Sequence, residues 1–135
     1  MRRVAVGLAA LGFASVVSAS VAAPASQRAT TLASYCSPSG DVCYGVLRRS
    51  GVLRAEITTA AHYFSRYTLC VKPPGSGGAG LRRCGSFPVF RQGAGTWGSS
   101  VRLKRQFPLV ERGICRVTWK LGSHPLGPTL RFRLR

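Results

Sequence analysis

The chain has 135 residues, 45% of them hydrophobic, and carries 20 Lys and Arg against 3 Asp and Glu, a formal net charge of +17. That length supplies one core, and the apolar content excludes a disordered chain. With only Asp41, Glu56 and Glu111 as carboxylates, a hydrolase built on a carboxylate pair has no basis in the sequence.

Reading from the start, two arginines precede an uncharged run from Val4 to Ala23 and the small residues Ala23-Pro24-Ala25. This is the three-part pattern of a helical secretory signal peptide, residues 1–25, cut before Ser26; the alternative is an uncleaved membrane anchor, since the run is about long enough to span a bilayer but is diluted by Ser and Gly. Residues 26–34 are expected as a short flexible lead-in and residues 35–135 as a single exported domain. Export also gives the cysteines their meaning. Five of them, at 36, 43, 70, 84 and 115, then meet oxidising conditions, where disulfides are the default and one thiol is left over.

The stretch YCSPSGDVCYG, residues 35–45, brackets six turn-forming residues with Cys36 and Cys43. A redox dithiol separates its cysteines by two residues and opens a helix, and a zinc site wants closely spaced ligands in a reduced chain, so neither chemistry fits. A Cys36–Cys43 staple does, with Asp41 expected to bond the turn backbone. Cys70–Cys84 would clamp the base of PPGSGGAG. By chain entropy the two rings contribute roughly 2.5 and 3 kcal/mol. The competing arrangement is an inter-sheet bridge from Cys70 to Cys115; with the local pairs formed, Cys115 is the free thiol.

From Val42 onward, runs rich in Val, Leu, Phe, Tyr and Thr are interrupted every eight to fifteen residues by Gly, Pro or Ser clusters. That cadence predicts an all-β antiparallel sandwich of about seven strands, at 42–48, 52–59, 66–72, 82–91, 97–106, 114–121 and 128–134. TTAAHYF, 58–64, has room for one helical turn. In ICRVTWKL, Cys115, Val117, Trp119 and Leu121 alternate with Arg116, Thr118 and Lys120. In LRFRLR, Leu130, Phe132 and Leu134 alternate with Arg131, Arg133 and Arg135. A hairpin of these strands gathers cations on its outer face, and VRLK adds Arg102 and Lys104 if it joins the same sheet.

Gly113-x-Cys115-x-Val117-x-Trp119, followed by SHPLG and LRFRL, resembles the Gly-x-Tyr-x-Val-x-Trp strand and final hairpin of immunoglobulin-like domains, most closely those of CopC-type copper-binding proteins. The resemblance covers residues 113–135. It implies an immunoglobulin-like sandwich and maps a copper-ligating histidine onto His124. Ser123 stands where that family has glycine, and Cys115 where it has tyrosine.

No Gly-x-Ser-x-Gly elbow is present, and no catalytic residue is assigned. His62 is expected as a partly buried structural residue, Trp119 in the core, and Trp97 as the more exposed aromatic. Glu56 is expected to face solvent and Glu111 to sit in a turn. The functional expectation is an exported, non-enzymatic binding or structural domain. Its anion-binding set of Arg102, Lys104, Arg116, Lys120, Arg131, Arg133 and Arg135 would meet cell-envelope polymer, polysaccharide or nucleic acid. An arginine-rich composition also follows from a GC-rich coding sequence, which explains arginine over lysine but not the scarcity of acids. The alternatives are a copper-binding protein using His124, and an enzyme inhibitor presenting PPGSGGAG.

Overall fold

A computed structural model describes residues 28–135, so the expected signal peptide lies outside the described residues. Ten strands run β1 (Ala29–Cys36), β2 (Val42–Arg49), β3 (Val52–Thr59), β4 (Arg66–Lys72), β5 (Arg83–Pro88), β6 (Phe90–Arg91), β7 (Trp97–Arg102), β8 (Gly113–Leu121), β9 (His124–Pro125) and β10 (Leu130–Leu134). One antiparallel sheet has the order β1-β2-β3-β7-β6. The other has the order β10-β8-β4-β5, with β9 also pairing β8.

The sandwich follows from period-two patterning. Tyr44 and Val46 of β2, Leu53, Ala55 and Ile57 of β3, Tyr67, Leu69 and Val71 of β4, and Cys115, Val117 and Trp119 of β8 alternate into one shared core. Tyr44 stacks on Trp119 with ring centroids 4.4 Å apart. The Tyr67 hydroxyl meets Ser99 Oγ at 2.9 Å, a buried contact that ties the two sheets together. Between β2 and β3, Ser50 and Gly51 have φ of 49° and 75°, the two left-handed residues of a type I′ hairpin turn.

Several expectations need correction. Residues 29–34, expected to be flexible, belong to β1, which pairs with β2 through Cys36↔Cys43. The segment 82–91 is two strands: at Val89, buried with its N–H bonded to Ser65 O, the chain crosses from one sheet to the other. The segment 97–106 stops being a strand at Arg102 and closes one helical turn, α1 (Leu103–Gln106). The cause is packing. Leu103 and Phe107 are both buried, and a helical turn puts residues four apart on one face, whereas a continued strand would also turn Arg105 inward. TTAAHYF forms no helical turn; Thr59 ends β3 and its hydroxyl donates to Ala61 O. Leu121 ends β8 exposed rather than buried, as the chain reverses through Gly122.

The two local disulfides are present, Cys36–Cys43 and Cys70–Cys84, each joining residues directly opposite on neighbouring strands. A Cys70–Cys115 bridge cannot form. β4 and β8 are neighbours in one sheet, but Cys115 alternates with the inward residues and Cys70 with the outward ones. The Cys36–Cys43 turn is held by Ser37 and Ser39 rather than by the Asp41 carboxylate: Val42 N donates to Ser37 Oγ and Asp41 N to Ser39 Oγ. Asp41 contributes its backbone, whose carbonyl accepts from Ala60 N at 2.8 Å.

Candidate anion-binding faces

The outer face of the β10-β8-β4-β5 sheet is built by the residues that alternate with the core. Register places Lys72 of β4 opposite Arg116 of β8, and Arg116 opposite Arg131 of β10. Three cations therefore lie in one transverse row, strand to strand at roughly 4.8 Å spacing. Like charges directly opposite one another are unfavourable, so the row costs stability. Among the described residues the ion pair within 4.0 Å is Arg49–Glu56, at 3.7 Å on the other sheet, so no carboxylate relieves this row.

The remaining expected cations are distributed. Lys120 lies further along β8, opposite Thr68. Arg133 and Arg135 line a cleft of about 450 Å³ with Arg48, Thr30, Leu32 and Phe132, where β10 meets β1. Arg102 is not in this sheet: it ends β7 in the opposite one, directly across from Arg54. Lys104 sits on α1. Arg102 and Lys104 are thus separated from the other five expected residues because VRLK belongs to the other sheet and the helical turn after it. Lys72 was missed, although its signal is legible: in RYTLCVK, Tyr67, Leu69 and Val71 alternate with Arg66, Thr68, Cys70 and Lys72.

The other candidates resolve individually. His62 is exposed rather than partly buried and stacks on Trp97 with ring centroids 4.0 Å apart. That contact occupies one face of Trp97, which is half-buried. Trp119 is fully buried. Glu56 points out from β3 and accepts from Ser100 Oγ at 3.0 Å. Glu111 lies over the PPGSGGAG loop, where a Cβ on Gly75 would collide with its carboxylate. The loop is drawn back onto the domain, since Gly80 is buried and Lys72 Nζ donates to its carbonyl at 3.4 Å.

His124 is exposed in β9, paired with Leu121. Among the described residues no group of three or more His, Cys, Asp or Glu comes together, and four of the five cysteines are bridged. No protein family, curated protein or solved structure matches this chain.

Cys115 is buried in the core without a partner, and burial pushes its thiol up to about 12. The thiolate is the reactive form, so native protein is expected to be inert to thiol reagents at pH 8 and to release one reactive thiol per chain on unfolding without reductant. Rapid native labelling would refute the burial. Burial likewise raises Tyr67, the Ser99 hydrogen bond offsetting part of it, and burial with neighbouring Tyr35 raises Tyr44, each to about 12. All three groups stay protonated in the folded state while the unfolded chain ionises near pH 9 for the thiol and pH 10 for the phenols. The unfolded state therefore binds fewer protons above pH 9, and stability falls from there towards pH 12. Denaturant midpoints measured from pH 7 to 11 should be flat below pH 9 and decline above it.

Proposed function

We propose that this chain is an exported, non-enzymatic binding domain of immunoglobulin-like type, whose β4-β8-β10 face meets an anionic polymer of the cell surface or its surroundings. The observation that carries the reading is the Lys72–Arg116–Arg131 row. A sheet face that sets three cations side by side with no carboxylate among them is held at an electrostatic cost that a polyanion removes. Guanidinium groups suit it, because they bind phosphate, sulfate and carboxylate oxygens through two parallel hydrogen bonds. Two disulfides support export, since such bonds persist in oxidising compartments. No helix among the described residues is long and apolar enough to cross a membrane. The fold type is supported by the buried Trp119 strand and its final hairpin.

Heparin titrations across a salt series test this. Binding should be tight at low salt and fall log-linearly as salt rises. The triple variant Lys72→Gln, Arg116→Gln, Arg131→Gln should reduce the magnitude of that slope by about 2–3, if each lost contact counts as a phosphate contact on nucleic acid does. Affinity that is insensitive to salt, or a triple variant that binds like the parent, would end the proposal.

A further inference from the structure

A second cationic cluster lies on the opposite sheet, away from the polymer-binding face. Strand β7 is paired to β3 along its whole length, but β6 covers only Trp97 and Gly98 on its other side. Beyond that point a cleft of about 360 Å³ opens, lined among others by Arg54, Ser100, Arg102, Arg105, Gln106 and Phe90. Its arginines come from three elements: β3, β7 and α1. Arg54 and Arg102 are directly opposite each other across the ladder.

No carboxylate lines the cleft. The nearest in the hydrogen-bond chain is Glu56, which is occupied: it pairs with Arg49 and accepts from Ser100 Oγ. Ser100 Oγ in turn accepts from Arg54 Nη1 at 3.0 Å. Ser100 therefore works as a positioning residue, fixing one nitrogen of the Arg54 fork. A second donor of that fork, Nε, is buried without a hydrogen-bond partner. A charged donor shut off from both water and acceptor is unfavourable, and so is the facing Arg102. An anion drawn between the two guanidiniums, with the exposed Arg102 side chain moving aside, relieves both.

We propose that this cleft is a binding site for a tetrahedral oxyanion, phosphate or sulfate, free or as a terminal ester. Three guanidinium forks offer more donors than the two oxygens of a carboxylate can accept, whereas a tetrahedral dianion presents acceptors in several directions at once. Phe90, 62% exposed at the rim, gives the organic part of an ester an apolar surface to lie on.

The test is a titration of the ¹⁵N-labelled full domain with sodium sulfate and sodium phosphate at constant ionic strength, reading the arginine Nε–H signals. Saturable shifts are expected at Arg54 and Arg102. Arg54→Gln and Arg102→Gln should each weaken binding about tenfold, the loss of one charge-assisted contact. Arg131→Gln, on the other sheet, should stay within about twofold of the parent. Should Arg54→Gln fail to fold, Arg105→Gln on the exposed helical turn replaces it. Glucosamine 6-sulfate separates the two sources: displacement of inorganic sulfate at these residues assigns a terminal ester, and failure to displace it assigns the free ion. Shifts that grow linearly without saturation, or arginine variants on this sheet that bind like the parent, overturn the site. Heparin binding by the opposite face is unaffected by either result, so the two proposals fail separately.

Discussion

Replacing Trp119 with alanine will lower the unfolding free energy by about 3–5 kcal/mol, the range for deleting a large buried aromatic. A domain of this size has about 5–15 kcal/mol in all, so the variant will sit close to its unfolding midpoint under mild conditions. Three features put it at the upper end. Trp119 is fully buried, it lies on β8 between β4 and β10, and its ring stacks on Tyr44 from the opposing sheet. Removing it opens a cavity where the sheets meet and leaves Tyr44 without its partner. Trp119→Phe keeps most of the apolar area and should recover more than half the loss. Urea melts followed by far-UV circular dichroism measure the difference, and a loss below about 1 kcal/mol for the alanine variant would contradict the core described here.

The second large effect is loss of the disulfides. Alanine at both cysteines of one bridge is expected to cost roughly 2.5 kcal/mol for Cys36–Cys43 and 3 kcal/mol for Cys70–Cys84, the longer ring restricting the unfolded chain more. The sequence separations are 7 and 14 residues. Local consequences differ. Cys36–Cys43 pins the end of edge strand β1 to β2, so its loss should speed exchange of the β1 amides. Cys70–Cys84 ties edge strand β5 to β4 beneath a glycine-rich loop, so its loss should expose residues 73–82 to protease. Both pairs removed together should leave little net stability. A double-bridge variant that melts like the parent would show that the bridges only decorate a domain stable without them.

The alternation on β8 and β10 was legible because one face of each strand is buried, and a period of two then writes itself into the residue types. The cysteine pairing was legible for a related reason: each bridge joins strands adjacent in sequence. Lys72 was equally legible from its own strand and was missed by attending only to the final hairpin. Three features were not readable in this way. β1 lacks strong alternation, since ATTLASYC has only Leu32 and Tyr35 as large apolar residues, and it is held by its pairing with β2. The turn from Arg102 into α1 depends on Leu103 and Phe107 both finding the core. The orphaned Arg54 donor is likewise a tertiary feature: Ser100, from another strand, takes Arg54 Nη1, while Nε is left buried without a partner.

By itself the sequence determined the all-β class, most of the strand positions and the excess of cations, and favoured the two local staples, all of which follow from local patterning and composition. Only the tertiary structure decided which cations become neighbours. Sheet membership is set by pairing between distant segments, and that pairing put Arg116 and Arg131 beside Lys72 on one face while sending Arg102 to Arg54 on the other.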